Sequence, residues 1–351
     1  MKPPNDMVCL PFWHRVSFTL IAEKHIKYLR KYARIERIDE LAFPHLLPAC
    51  KPLVLLHPTF YPLSKYGRFI ERKIHLYKGI IGFDVADSTR ISTLAVSMTH
   101  YTNAMIVPSN FSRKAYIESG VRVPVHVVPH GVEPEWFETP RDSFRSFPDL
   151  LELKKSKNLK YLLFFCIHSE YRKGADLVLE FYSRLRRERS DVTLIVKTLT
   201  PDGLIQPTVR KLGGIVVAGW LTEEQKMELY DLADIYLLFS RGGGFELNGL
   251  EALARGVPVI AGKGGSWEDY TPRWLLVDSK PCPYVLKDNP IHVGSGVEVD
   301  IEKAVDLACR ILDNLDDYKA RVLEYRDRHL KGRFTWDKIA RQILDIINIY
   351  M

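Results

Sequence analysis

The sequence predicts an α/β protein built as two successive halves, and three observations carry that prediction. Apolar runs of strand length alternate with segments of helical periodicity along most of the 351 residues. The alternation pauses at Pro129-His130-Gly131-Val132 and starts afresh at Tyr161. Near the end of the second half, Ile235 to Ala261 reads strand, glycine turn, helix, buried strand, which is a βαβ unit with a right-handed crossover. The length and a hydrophobic share of 46% suit about two domains, each with its own core.

In the first half, Val8 to Phe12 reads as a strand and Ser17 to Arg34 as a long helix, leaving His14 and Arg15 at the turn between them. Lys24, Lys27, Lys31 and Arg34 form a stripe on that helix. Leu53 to Leu56 is a second strand, ending in His57-Pro58. Ser64 to Tyr77 is a second basic helix with Lys65, Arg68, Arg72 and Lys73. The helices 17–34 and 64–77 are candidates for peripheral contact with an anionic membrane; a solvated basic face is the commoner explanation of such stripes. Gly79 to Phe83 is a strand with a polar exit loop holding Asp87, where chemistry or helix capping is expected. A mixed helix leading to His100, a strand Ala104 to Val107, a helix Phe111 to Glu118 capped by the Pro108-Ser109-Asn110 segment, and a strand Val125 to Val128 follow.

In the second half, Tyr161 to Ile167 is a strand and Ala175 to Arg189 a helix, separated by His168-Ser169-Glu170-Tyr171-Arg172-Lys173-Gly174. Arg172 and Lys173, at the carboxyl end of a strand, suit a diphosphate, and Lys197 ends the next strand, Val192 to Val196. Pro201 to Pro207 reads as a loop. Strand Ile215 to Ala218 and helix Thr222 to Leu232 lead into the βαβ unit. There the turn Arg241 to Gly244 precedes a helix with Leu247, Leu250, Leu253 and Ala254 at helical spacing, stopped by Gly256. Backbone N–H groups and the helix dipole at such a turn favour a phosphate. Glu251 stands one turn in, placed either for a sugar hydroxyl or as the acidic end of a capping box begun by Asn248. Two helical segments follow Val277, and Phe334 to Tyr350 is a last helix.

No run of eighteen apolar residues occurs, the N-terminal stretch lacks the order of a secretory signal, and five scattered cysteines show no paired spacing. The expectation is a reduced, cytoplasmic protein. A formal net charge of +7 favours an anionic partner without choosing among nucleotide-linked substrate, lipid surface and nucleic acid.

The segments PSNFS before a helix, VVPHGV, the RKG loop, AGWLT and GFELNGLEALARGVPVIA together resemble the retaining glycosyltransferases of family 4, with the GT-B fold. The resemblance is clearest from Pro108 to Tyr270 and only architectural before residue 78. It implies two Rossmann-like domains facing each other across a cleft: residues 1–130 for the acceptor, 131–333 for the nucleotide sugar, and helix 334–351 crossing back. It further implies transfer from a UDP- or GDP-sugar to a hydroxyl on a glycan, lipid carrier, protein or DNA, with retained configuration. No metal and no cofactor are expected, and the chain holds no Asp-x-Asp pair.

Residue by residue, the resemblance puts Lys173 on the leaving diphosphate, with Arg172 in place of an arginine whose position falls on His168. The backbone of Gly244, Phe245 and Leu247 meets the diphosphate, and Glu251 holds the ribose. Of the family's two glutamates, which have seven residues between them, the first falls on Gly243 and the second on Glu251, and Glu246 stands where the family has glycine. Glu246 therefore either supplies the missing carboxylate or leaves the centre without one. His14, Arg15 and Asp87 take the acceptor positions, while His57 and His100 are read as structural. Two alternatives stay open: a non-catalytic sugar-nucleotide binder, and a nucleic-acid-binding protein or a transferase acting on DNA.

Overall fold

The computed structural model describes residues 7–12, 16–45, 51–140 and 144–350. The chain divides into two compact units, residues 1–132, 287–294 and 333–351, and residues 133–286 and 295–332. His14 and Arg15 lie outside the described residues.

Unit 1 is one parallel sheet between helices. Its elements are β1 (Met7–Pro11), α1 (Ser17–Leu29), β2 (Ile35–Arg37), β3 (Leu53–His57), α2 (Phe60–Lys73), β4 (Gly79–Phe83), α3 (Thr93–Thr99), β5 (Ala104–Val107), α4 (Asn110–Glu118) and β6 (Val125–Val127). The sheet order is β2-β1-β3-β4-β5-β6. All five residues of β1, β3 and β4 are buried, as expected where helices cover both faces of a parallel sheet. Val8, Leu10, Val54, Leu56 and Ile80 meet Phe60, Leu63 and Ile70 of α2 in one core.

Two helix boundaries differ from expectation for identifiable reasons. The first helix ends at Leu29 rather than Arg34, because the chain turns there to lay β2 beside β1. The second begins at Phe60 rather than Ser64. Asp84, at the exit of β4, accepts the N–H groups of Thr59 and Phe60 (2.9 Å each) and so satisfies donors at the helix start. Pro62, in that first turn, would have had no intrahelical N–H partner in any case. Burial pushes the Asp84 carboxyl up to about 7, against the pull of these donors.

Unit 2 repeats the scheme. It comprises α5 (Pro148–Ser156), β7 (Lys160–Phe165), α6 (Glu170–Lys173), α7 (Ala175–Glu188), β8 (Val192–Lys197), α8 (Gln206–Lys211), β9 (Ile215–Val217), α9 (Glu223–Leu232), β10 (Ile235–Leu238), α10 (Leu247–Ala254), β11 (Val259–Gly262) and β12 (Leu276–Val277). The hairpin β13 (Ser279–Cys282) and β14 (Gly296–Val299) and the helices α11 (Ile301–Asp313) and α12 (Leu315–Tyr325) complete it. The parallel sheet runs β12-β11-β10-β7-β8-β9. Pro207, read in the sequence as loop, occupies the first turn of α8. The final helix, α13 (Trp336–Ile349), belongs to unit 1 and packs on α1. Residues 287–294 also join unit 1, where Ser92 donates its N–H to the Ile291 carbonyl.

One ion pair inside unit 2 is fully enclosed. Arg255 donates to both Asp231 oxygens at 2.7 Å, and its remaining N–H groups reach the carbonyls of Glu135, Trp136, Glu138 and Thr139. Neither side chain exceeds 1% exposure. Asp231→Ala would strand a buried guanidinium, so urea unfolding should show a loss of about 3–5 kcal/mol; a shift below about 1 kcal/mol would refute this.

Candidate active site

The sheet order of unit 2 fixes where its site lies. From β7 the chain moves outward to β8 and β9, then returns to place β10 on the other side of β7. Loops leaving β7 and β10 therefore flank a switch point, the place where open parallel sheets bind ligands.

Those two loops are tied together. Gly174 has φ of +72°, and a Cβ there would stand 2.1 Å from the carbonyl oxygen of Phe239, so only glycine lets the β7 loop approach the end of β10 this closely. Arg241 donates its N–H to the Arg172 carbonyl at 2.7 Å. Its guanidinium grips both oxygens of Asp176 (2.7 and 2.6 Å) and Glu298 (2.7 Å) and lies 3.8 Å from the centre of the Tyr171 ring. Arg241 was not singled out in the sequence, where it is one more cation in a glycine turn.

The loops bring Arg172, Lys173 and Glu246 into one cluster. Glu246 accepts from Arg172 Nη1 at 2.9 Å on one carboxylate oxygen and from Lys173 Nζ at 2.5 Å on the other. Arg172 also donates to the Gly242 carbonyl at 3.1 Å. Arg172 and Glu246 are buried. Glu246 has φ of 60° and ψ of 63°, a left-handed conformation that costs a non-glycine residue about 1–2 kcal/mol. Its carbonyl accepts from Tyr270 Oη at 2.6 Å and from the Gly249 N–H at 3.0 Å. A Cβ on Gly243 would lie 2.2 Å from Glu246 Oε1. The carboxylate of Glu246 thus fills the space a side chain at position 243 would enter.

Helix α10 starts at Leu247 with no side-chain cap and no acidic residue in its first turn. This overturns the capping-box reading of Asn248 and Glu251, because the helix begins before Asn248. Gly244, Phe245 and Leu247 form the approach to this helix and its first residue. Glu251 is buried and accepts from Lys226 Nζ (2.6 Å), Tyr230 Oη (3.0 Å) and Asn248 Nδ2 (3.3 Å). Burial raises its pKa, with the Lys226 ammonium pulling the other way. Lys226 and Tyr230 escaped sequence reasoning, since they lie on α9 at an unremarkable helical spacing.

Lys197 is placed differently from its expected role on a diphosphate. Its ammonium donates to the carbonyls of Thr198 (2.7 Å) and Gly219, holding the loops after β8 and β9. Burial lowers its pKa to about 8, and the charge of Lys226 adds to that effect. His168 is exposed on the β7 loop, with Nδ1 3.0 Å from Ser169 Oγ. Asp87 lies in unit 1, where its N–H donates to His292 Nδ1 at 3.3 Å.

Comparison with known proteins supplies independent bearings. A sequence model of the family described as Glycosyl transferases group 1 matches residues 160–280, the stretch that carries this site. The chain is 34% identical over 351 residues, 97% of each chain, to Uncharacterized protein 356 of Sulfolobus islandicus rod-shaped virus 1. It is 26% identical over 272 residues to Putative glycosyltransferase 45 of Sulfolobus islandicus filamentous virus, covering 75% of this chain and 72% of that one. Among solved structures, Anabaena HepE in complex with UDP and glucose superposes with a TM-score of 0.69 at 15% identity, covering 98% of this chain and 99% of HepE. That likeness shows the GT-B fold, two Rossmann-like α/β domains.

Proposed function

The chain belongs to one family with the rod-shaped-virus protein 356 and is a glycosyltransferase of the GT-B fold, and on that premise we propose that it moves a sugar from a nucleoside diphosphate sugar to an acceptor hydroxyl with retained configuration. The observation that carries this reading is the Arg172–Lys173–Glu246 cluster at the switch point of unit 2, beside the uncapped start of α10. Two fixed cations and a helix N-terminus offset the charge that grows on a departing diphosphate. UDP and GDP are the proposed nucleotides, with the cations in place of a metal ion.

In the proposed reaction the bond from the anomeric carbon to the β-phosphate oxygen breaks and a bond to the acceptor oxygen forms on the same face. The acceptor proton passes to the released phosphate oxygen, so no separate side-chain base is required. Lys173 and Arg172 stabilise the diphosphate, the backbone of Gly244 to Leu247 cradles it, Glu251 with Lys226 holds the ribose, and Glu246 stands in for the carboxylate that Gly243 lacks. Asp87 is the acceptor-side candidate among the described residues.

A thermal-shift and donor-hydrolysis screen of UDP-, GDP- and ADP-sugars, with and without EDTA, tests this. Stabilisation by one donor with slow release of its nucleoside diphosphate in EDTA is the expected result. Lys173→Ala should lower that release about a hundredfold while leaving the melting temperature nearly unchanged. Undiminished release in a folded variant removes Lys173 from the mechanism, and no response to any donor removes the reading itself.

A further inference from the structure

Outside this site, the most unusual surface is one face of α2. Tyr61, Lys65, Arg68 and Arg72 recur at spacings of four, three and four residues, so they share one face, and Phe69 lies beside them. All five are exposed, with Phe69 at 52% and Tyr61 at 38%. Ile74, just past the helix end, is 42% exposed. The opposite face buries Phe60, Leu63 and Ile70, so the helix is seated and the outer face is not part of the core. Counting Lys73 against Glu71, these fourteen residues carry a formal charge of +3 out of +7 for the chain.

Among the described residues no carboxylate pairs with Lys65, Arg68 or Arg72. Lys65 instead lies over the rings of Tyr61 and Tyr66, at 5.6 and 5.3 Å. The other basic helix is spoken for. On α1, Lys31 bonds Asp337 of α13 at 3.1 Å, and both Lys27 and Lys31 sit over the Tyr28 ring.

We infer that the outer face of α2 docks on an anionic lipid bilayer, with Tyr61, Phe69 and Ile74 entering the headgroup boundary and Lys65, Arg68 and Arg72 meeting lipid phosphates. A nucleic-acid backbone would engage the cations alone. Bulky apolar side chains left in water between cations fit an interfacial helix, which draws on apolar burial and on charge together. The inference does not depend on sugar transfer, so it stands or falls separately from the catalytic reading.

Co-flotation of the full chain with vesicles tests it. Binding to phosphatidylcholine mixed with phosphatidylglycerol should exceed binding to phosphatidylcholine alone by at least about tenfold and should weaken as salt rises. Replacing Lys65, Arg68 and Arg72 together by Gln should lower partition into the mixed vesicles about a hundredfold, roughly fivefold per cation. Phe69→Ser with Ile74→Ser should leave the lipid preference but make the residual binding far more salt-sensitive. Arg68→Gln alone, at about fivefold, preserves the test if the triple variant melts early. The inference is overturned if mixed vesicles do not carry the protein, if all variants float like the wild type, or if duplex DNA displaces the vesicles and loses its own binding in the triple variant.

Discussion

Glu246→Gly should lower sugar transfer about a thousandfold without unfolding the protein, and adding Gly243→Glu to it should restore most of what was lost. Three features of one turn lead to this outcome. Glu246 holds a left-handed conformation that glycine adopts freely, so the substitution relieves about 1–2 kcal/mol of backbone strain while deleting the carboxylate. Its carboxylate is held by Arg172 and Lys173. A side chain at Gly243 would point into the same space, since its Cβ would come 2.2 Å from Glu246 Oε1. The pattern that the resemblance implies, a glutamate at the first position and a glycine at the second, has as its counterpart here the same two residue types exchanged.

Gly243→Glu alone should be inactive for a different reason. Two carboxylates would then compete for one pair of cations in a buried place, and the like charges repel. In the double variant one carboxylate remains, on the other side of the turn, and the strained position carries glycine. Turnover within about tenfold of wild type is expected, read as nucleoside diphosphate release with the donor found in the screen. A double variant as inactive as Glu246→Gly would show that Glu246 is not an exchanged carboxylate. Full activity of Glu246→Gly would show that the cluster only orders the loops.

Most of the architecture was legible because it is local. The buried strands are continuous apolar runs, and the glycine turn before α10 is written in four adjacent residues. What escaped is short or depends on distant partners. β2, with a single buried residue in Ile-Glu-Arg, has no pattern of its own and exists through its pairing with β1. The hairpin of β13 and β14 includes Pro281, which argues against a strand in isolation. At the site, Arg172, Lys173, Gly243 and Glu246 were each visible as candidates. Their meeting was not, because Arg172 and Glu246 are 74 residues apart and join only through the sheet order. Lys197 looked like a free cation for the same reason, since the Gly219 carbonyl that holds it belongs to the next strand's exit.

Acid should weaken unit 1 sharply, through a cluster of histidines of which the sequence marked only His57 as structural. His25 of α1 and His57 at the end of β3 are buried, and the half-buried His130 lies against them: the His25 ring centre is 5.3 Å from His57, 6.3 Å from His130 and 5.8 Å from Trp336, and His57 stacks on Phe83. Neither ring nitrogen of His25 has a hydrogen-bond partner among the described residues. Burial pulls His57 and His130 down to about 3 and His25 well below its ordinary value, each neighbouring imidazole adding to the effect on His25. Above pH 6.5 folded and unfolded chains both keep these rings neutral, and pH has no hold on them. Below it the unfolded chain takes up protons that the fold refuses, so stability falls with falling pH until the folded values near 3 are reached. Each histidine contributes a slope of roughly 1.4 kcal/mol per pH unit. Asp84 opposes them, because its raised value makes the fold bind a proton between about 7 and 3.8, but it is one group against three. The net loss on going from pH 7 to 5 is about 3–4 kcal/mol, a large part of the stability of an ordinary domain. Urea unfolding at pH 5, 6, 7 and 8 should show it, and His25→Leu should flatten the acid slope by roughly 1.4 kcal/mol per pH unit. Midpoints that hold steady from pH 8 to 5, or a His25→Leu slope equal to wild type, would mean that the cluster takes up protons without unfolding.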